Sequence, residues 1–251
     1  MVRRWSRRAL GLFTLLASVG CGATPVNLAE GPRAYVATDY EAVRSRWTRE
    51  ESLILFEDLE RALTVTATFE TWDFRWAYVV RYARDYRLTV AQRQRLMRRQ
   101  LEDTRKEHEF FVSLYGAELR LNDLTRDDAA WVVRLVDDQG HETAPSQIQR
   151  IRSPNAIHRR YYPDTNPWRQ SFRIRFPVAS SEGQPSVDPG ANWLGLRFAG
   201  AWGNVDLVWD LAQPDATASD DPTVAMARAK PQRTVDGRAA PRRRAGSGTV
   251  P

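Results

Sequence analysis

The amino-acid sequence predicts an α+β protein that is mainly β, built as an immunoglobulin-like β-sandwich over residues 35–212. Three observations lead to this fold class. Short segments that alternate apolar and polar residues recur along the chain between Gly and Pro turns, which is typical of a sandwich. Two helical patterns over about 71–107 follow the first such strand as an inserted pair. Hydrophobic residues make up 42% of the 251 residues, which is enough for a substantial core.

The body opens with a short helix and a strand. The sequence TDYE at 38–41 matches a capping box, and the helix that it predicts runs to about Trp47. The stretch LTVTATFE at 63–70 then places aliphatic and aromatic residues on one face and threonines on the other. This period of two predicts a half-buried strand, with one face in the core and one in solvent.

The inserted pair begins with a segment that fits two structures. The stretch TWDFRWAYVVRYARDYR at 71–87 alternates as a strand would, but its tyrosines recur every four residues, as on a helix. Thr71 as an N-cap and Asp73 in the first turn favour the helix. Thr89 caps a second predicted helix at 90–109, whose sparse apolar residues indicate a surface position.

The second half of the body reads as strands joined by turns. Alternating or apolar runs predict strands at 109–116, within 129–143 on both sides of a turn at 138–140, and at 146–151, 171–178, 192–200 and 204–211. The last two flank Ala201-Trp202-Gly203 as a hairpin, with Val205, Leu207 and Trp209 expected to face inward.

The net charge of +6 is carried by the two ends of the chain. Residues 1–20 carry +4 and residues 213–251 carry +3, whereas residues 21–212 carry −1. A body without excess positive charge does not favour a nucleic-acid partner. The segment 213–251 lacks aromatic residues, Leu and Ile, so we expect a disordered tail. Its basic part at 241–248 either is a solvated end or adheres weakly to anionic envelope surfaces.

The N-terminus has the parts of a secretory signal. Four arginines within residues 1–8 precede an apolar run at about 9–19. A helix of this length rises only about 16 Å, too short to cross a membrane. The alternative, a buried helix that begins the fold, is disfavoured because the run has no polar face. The sequence therefore predicts a signal peptide over residues 1–20.

Two short motifs sharpen this prediction by resemblance. SRRAL at 6–10 resembles the twin-arginine export signal, which leaves general and twin-arginine export both open. SVGC at 18–21 resembles the lipobox of bacterial lipoproteins, although Ser18 stands where Leu is usual. The resemblance implies a lipid on Cys21, the only cysteine, and an outer-membrane destination because Gly22 follows. Ordinary cleavage within 21–23 is the alternative. The stretch after Cys21 contains Pro25, Gly31 and Pro32 and has no periodic pattern, which predicts a tether over 21–34.

The body is also similar to uncharacterised bacterial lipoproteins. The resemblance is carried by TDYEAVRSRWTR at 38–49, ATFETWDFRWAYVVRYA at 67–83 and YYPDTNPWRQSFRIRFP at 161–177. It implies a location in the cell envelope, with the lipid on Cys21 as the contact with the membrane. It implies no activity.

The sequence has no nucleophile elbow, zinc-protease motif, phosphate-binding loop or dinucleotide fingerprint, and it predicts no cofactor. The three histidines are weak candidates. His108 is expected at the C-terminal end of the second inserted helix, where a cation is favourable. His141 stands near two aspartates at a turn, which suggests either a metal corner or a solvated turn. His158, in a polar loop, is the best single candidate for catalysis.

The strongest site candidate is a loop rich in arginine and aromatic residues. Its members are Arg159, Arg160, Tyr161, Tyr162, Trp168 and Arg169. Aromatic rings stack on sugars, and arginine binds carboxylates or phosphates through two hydrogen bonds. The alternative is that Tyr162 and Trp168 fix the loop to the core. We therefore expect a binding or structural module of the envelope with a protein or glycan partner, or alternatively an envelope hydrolase with an unrecognised active site.

Overall fold

A computed structural model describes residues 25–55, 60–116 and 122–212, in which two antiparallel sheets pack against each other. The strands are β1 (Thr48–Leu55), β2 (Glu60–Phe69), β3 (Glu107–Gly116), β4 (Trp131–Asp137), β5 (Glu142–Thr143), β6 (Gln147–Ile151), β7 (Gln170–Pro177), β8 (Trp193–Gly200) and β9 (Gly203–Asp210). The helices are α1 (Tyr40–Trp47), α2 (Trp72–Asp85), α3 (Val90–Thr104) and α4 (Ala156–Tyr161).

The strand order is that of an immunoglobulin-like sandwich. One sheet has the order β1-β2-β3-β7-β6 and the other has the order β5-β4-β8-β9. If β2 is taken as strand A, these sheets reproduce A-B-E-D against C′-C-F-G, and β1 is an additional edge strand. The predicted α+β, mainly β, immunoglobulin-like sandwich is therefore confirmed.

The inserted helical pair is also confirmed, because α2 and α3 lie between β2 and β3. The Thr71 hydroxyl accepts a hydrogen bond from the backbone N–H of Phe74, at 3.3 Å. Thr89 and Gln92 form a reciprocal capping box at the start of α3. The prediction extended α3 too far, since the helix ends at Thr104 and the chain pairs with β7 from residue 107.

The start of the domain differs in detail from the prediction. Helix α1 ends at Trp47 as expected, but the capping box at 38–41 does not form. Instead, the Asp39 carboxylate accepts a hydrogen bond from the backbone N–H of Val36 at 2.8 Å, across a short 3₁₀ turn. Strand β1 follows α1 directly and was not predicted, because TREESLIL gathers its apolar residues at one end and lacks an alternating pattern.

Aromatic side chains fill the space between the sheets. The rings of Phe69 and Phe110 stack with centroids 4.4 Å apart, and Trp209 from the opposite sheet packs on both, at 5.9 and 5.6 Å. Val205, Leu207 and Trp209 are buried, as predicted for β9. Each large side chain buried in this way stabilises the fold by about 1.5–3 kcal/mol.

The second face of the five-stranded sheet is covered, and here the prediction for β2 was wrong. Its threonines are buried rather than open to solvent. On this face the rings of Phe111 and Tyr162 stack at 3.9 Å, and the Ser113 hydroxyl donates to the carbonyl of Asp164 at 2.9 Å. Helix α4 and the loop after it thus form a third layer, which no local pattern in β2 could indicate.

The N-terminal segment contacts the sandwich from the first residues described. In the predicted tether at 21–34, Val26 is buried and its N–H donates to the carbonyl of Asp210 at 2.8 Å. Further along, the carbonyl of Gly31 accepts a hydrogen bond from Trp72 Nε1 at 2.8 Å. The predicted signal peptide, Cys21 and the predicted tail lie outside the described residues. Within the described ranges no helix is long and apolar enough to cross a membrane.

Candidate functional site

The two tyrosines of the predicted binding loop belong to the core. Tyr161 ends α4, and its hydroxyl donates to the Asp85 carboxylate at 3.0 Å. The Tyr162 hydroxyl donates to Glu70 Oε1 at 2.6 Å, and burial together with this carboxylate raises the Tyr162 pKa well above its ordinary value. Both side chains are at most 5% exposed, so they fix the loop to the domain and present no face to a ligand.

The other members of the loop are more accessible. Arg159 Nη1 donates to the carbonyl of Pro154 at 3.0 Å, and Arg160 lies 3.7 Å from the Glu41 carboxylate. Trp168 is 74% exposed, so it does not fix the loop to the core. Arg169 forms an ion pair with Glu50 at 3.2 Å. The six predicted residues therefore divide into a buried pair and four surface side chains.

The exposed part of the loop forms one wall of a cleft of about 530 Å³. Residues from three separate segments line it: 123–126, 150–154 and 166–171. Four arginines are among them, namely Arg126, Arg150, Arg152 and Arg169. Trp168 lies in the chain between the lining residues Pro167 and Arg169. The cleft thus has the cations that the sequence suggested, with the exposed Trp168 in the adjoining loop and not in the lining, and most of its arginines come from elsewhere in the chain.

The arginines of the cleft differ in how they are paired. Arg150 Nη1 lies 2.6 Å from Asp123 Oδ2, and Arg126 Nε lies 2.6 Å from Asp128 Oδ1. Burial alone raises the pKa of Asp123, but hydrogen bonds from Thr125 and the charge of Arg150 outweigh it and lower the pKa. Asp123 is therefore ionised at neutral pH.

Arg152 is the exception in the cleft, since its guanidinium contacts no hydrogen-bond or ion-pair partner in the part of the chain described. Exposed ion pairs such as those of Arg126 and Arg150 contribute only about 0–1 kcal/mol each. A bound anion can therefore compete for these arginines, and Arg152 is available without competition.

A buried hydroxyl also lines this cleft. Ser171, at the start of β7, is 1% exposed, and its Oγ has no hydrogen-bond partner among the described residues. Leaving such a group unsatisfied costs about 1–3 kcal/mol.

A second polar cluster lies under α2, with Glu109, Glu70 and Arg75 buried and Arg173 and Arg175 partly exposed at its edge. The Glu109 carboxylate receives three arginines: Arg173 at 2.6 Å, Arg175 at 2.8 Å and Arg75 at 3.2 Å. Burial raises the pKa of Glu109, but the three positive charges outweigh it and the pKa is lowered. Glu70 joins the cluster through Arg75, at 3.4 Å. Because every member is paired internally, we assign the cluster a structural role.

His108 lies within β3 and not at a helix end, so the predicted helix-terminus contact is wrong. Its ring packs edge-on against Phe69 at 5.8 Å, and burial lowers its pKa to about 4. His108 lines a cavity together with Glu70 and Glu107, but the cavity volume is only about 70 Å³. This space holds about two water molecules and no substrate.

The remaining histidines are held by local hydrogen bonds. His141 Nδ1 lies 2.9 Å from Asp137 Oδ2, and Asp137 also accepts from the backbone N–H of Asp188 at 2.8 Å. His158 Nδ1 faces the backbone N–H of Asn155 at 3.3 Å in the capping of α4. No histidine lines the cleft. Among the described residues there is no group of three or more His, Cys, Asp or Glu side chains arranged to hold a metal ion.

Comparison of the chain with known proteins does not assign it to a family. No family model matches the chain, and no curated protein or solved structure is significantly similar to it. The fold class therefore rests on strand order, and function has to be argued from the cleft.

Proposed function

We propose that this chain is a lipid-anchored protein of the cell envelope whose sandwich binds an anionic glycan in the arginine-lined cleft. The observation that carries the proposal is the cleft itself, where four arginines converge and Trp168 is exposed in the adjoining loop. A binding role fits better than the alternative hydrolase, because glycoside hydrolysis uses two carboxylates, whereas the lining residues include one, Asp123, which is paired with Arg150.

The chemistry of the lining selects the class of ligand. A guanidinium binds a carboxylate or a phosphate through two parallel hydrogen bonds, and this pairing is stronger than a neutral hydrogen bond. An exposed indole offers a flat apolar face on which a sugar ring can stack. A saccharide that carries carboxylate or phosphate groups uses both features.

The envelope location is supported by the N-terminal sequence. The arginine-rich start, the apolar run to about Val19 and the lipobox-like SVGC at 18–21 support export and a lipid on Cys21. A lipid-anchored domain is held near the envelope surface, where anionic glycans are present.

The lipid anchor is tested by metabolic labelling with a fatty acid. We expect the wild-type chain to incorporate label and the Cys21→Ala chain to incorporate none, because a lipid on the cysteine needs its thiol. Ser18→Ala is the matched control, since it keeps the cysteine. An unlabelled wild-type chain would show that the anchor is absent, without bearing on the cleft.

The cleft is tested by calorimetric titration with an oligogalacturonide, whose sugars carry carboxylates. The matched ligand is the same oligosaccharide with its carboxylates methyl-esterified, and a phosphorylated oligosaccharide separates phosphate from carboxylate recognition. We expect Arg152→Gln to weaken binding of the charged ligands about 10–100-fold, the loss of one charge-assisted hydrogen bond. Trp168→Ala should weaken binding about 3–10-fold through lost stacking.

Arg93→Gln is the control variant for this titration. Arg93 is an exposed arginine on α3, outside the cleft, and its removal should leave the affinity unchanged. Equal affinity for the charged and the esterified ligand, or wild-type affinity in Arg152→Gln, contradicts the proposed site.

A further inference from the structure

The corner between α2 and α3 combines exposed apolar side chains with unpaired arginines. Tyr86 is 49% exposed and Val90 is 74% exposed, on either side of the turn that joins the helices. Arg84, Arg87 and Arg93 surround them in the chain. Within the described part of the chain, none of these three guanidinium groups has a hydrogen-bond or ion-pair partner.

The basic surface continues along the solvent-facing side of α3. Arg95, Arg98 and Arg99 are spaced by three and four residues, so they share one face of the helix. They line a shallow depression and have no side-chain partner among the described residues. Glu102 lies on the same face, but it is paired with Lys106 at 3.2 Å. We call Arg95, Arg98 and Arg99 the α3 surface, because Arg93, two residues before Arg95, lies on the other side of the helix.

We propose that the α3 surface docks on a membrane that contains anionic phospholipids. Arginines close to such a membrane are attracted to its negative surface potential, and salt screens this attraction. The exposed Tyr86 at the turn before α3 fits the same partner, because a tyrosine is favoured at the level of the lipid headgroups, where its ring is partly buried and its hydroxyl stays wet.

The position of the N-terminal segment supports a membrane as the partner. Leu28 and Thr104 line one small cavity, and Glu30 forms an ion pair with Arg105 at 2.6 Å, so this segment reaches the C-terminal end of α3. The seven residues from Cys21 to Leu28 span at most about 25 Å. A lipid on Cys21 would therefore hold α3 close to the membrane. This part of the argument rests on the anchor proposed above.

The test is arginine footprinting of the full chain reconstituted in vesicles. Phenylglyoxal modifies accessible guanidinium groups, and mass spectrometry of peptides reports the rate at each site. We compare vesicles of phosphatidylethanolamine and phosphatidylglycerol with vesicles of phosphatidylcholine alone. We expect modification of Arg95, Arg98 and Arg99 to slow roughly tenfold in the anionic vesicles only. At about 1 M salt, where the screening length is about 3 Å, the protection should disappear.

Arg152 is the internal control, since it is also exposed and unpaired but lies in the cleft. Its modification rate should be equal in the two kinds of vesicle. Equal rates for the α3 arginines in both vesicles overturn the proposal, and so does equal slowing at Arg152. Protection by polyglutamate without protection by anionic vesicles also overturns it, because the partner would then be an acidic polypeptide.

Two variants separate this contact from the lipid anchor. Replacing Arg95 and Arg98 by Gln should abolish the protection of Arg99 by anionic vesicles. The Cys21→Ala chain, which keeps its apolar N-terminal run, should retain protection in anionic vesicles. Protection without lipid labelling supports the α3 surface while rejecting the anchor, whereas labelling without protection rejects the α3 surface alone.

Discussion

The arginines under α2 and the arginines along α3 are the same residue type in opposite settings. Under α2, Arg75 is 3% exposed and lies within 3.4 Å of the carboxylates of Glu70 and Glu109. On α3, Arg95 and Arg98 are exposed and have no side-chain partner in the described residues. The first group belongs to the interior of the fold, and the second group is available to a partner.

The difference shows why the net charge of the body is a poor guide to its surface. Residues 21–212 carry a net charge of −1. Part of the negative charge belongs to the buried carboxylate of Glu109, which is already paired with Arg173 and Arg175. A charge buried in a pair has little effect on a distant ligand, whereas an unpaired surface charge acts through solvent over about 10 Å at 0.1 M salt. Pairing, read from the structure, decides which arginines can attract an anion.

The largest effect should come from neutralising the centre of the buried cluster. In Glu109→Gln, the buried Arg75 and the partly exposed Arg173 and Arg175 lose their shared counter-charge. Because Arg75 cannot move into solvent, we expect a loss of about 3–5 kcal/mol in the free energy of unfolding. Urea denaturation followed by tryptophan fluorescence measures it. Glu107→Gln, on the same strand but half-buried, is the matched control and should cost about 1 kcal/mol or less. Equal losses of unfolding free energy in both variants would mean that the pairs of Glu109 stabilise the fold no more than those of the half-buried Glu107.

The second effect should appear as a pH dependence. Burial lowers the pKa of His108 from 6.5 to about 4, so between these values the unfolded chain binds a proton that the folded chain does not. Stability should therefore fall as pH decreases from about 6.5 to 4, by about 3 kcal/mol in total. Glu109 affects stability at lower pH. Because its pKa is lowered in the folded chain, its ionised carboxylate contributes fully to stability above the ordinary pKa of 4.5, and this contribution is lost as the pH falls below that value.

The variant that tests this is His108→Leu, with denaturation measured across the pH range. The slope between pH 6.5 and 4 should flatten in His108→Leu and persist in the control His141→Gln, whose ring is partly exposed at a turn. An unchanged slope in His108→Leu would mean that other groups cause the pH dependence and that burial does not lower the pKa of His108.

The smallest effect should come from the α3 surface. Replacing Arg95, Arg98 or Arg99 by Gln removes no contact among the described residues, so each change should alter the free energy of unfolding by about 0.5 kcal/mol or less, in either direction. Urea denaturation of the single variants measures this. A loss comparable to that of Glu109→Gln would mean that these arginines stabilise the fold.

Much of the fold was predictable because its strands and helices carry local periodic patterns. The alternation in β7 and β9 and the capping signals at Thr71 and Thr89 were sufficient to predict an immunoglobulin-like sandwich with an inserted helical pair. Strand β1 was missed because it is an edge strand held by its register with β2, and its own sequence does not alternate. The burial of the β2 threonines depends on a loop about one hundred residues away, which no local pattern records.

The candidate site was predictable only in part. The sequence located the loop with Trp168 and Arg169, but it could not separate the buried tyrosines from the exposed tryptophan, since burial is decided by Glu70 and Phe111 elsewhere in the chain. Arg126, Arg150 and Arg152 were missed for the same reason. Arg150 lies in β6 and Arg126 and Arg152 lie in connecting segments, none of them within a motif, and only the packing of three segments brings them to one cleft.

The parallel bridge between Val26 and Leu211 gives the domain a defined mechanical attachment. The Val26 N–H donates to the carbonyl of Asp210, and the Val26 carbonyl accepts from the N–H of Ala212, both at 2.8 Å. Because the two hydrogen bonds lie side by side, a force on the N-terminal end loads both of them in shear. The load passes into β9 and its sheet, whereas Gln170 and Ser171 of the cleft belong to the other sheet. Tension on the N-terminal end therefore reaches the molecule through the sheet that does not line the cleft.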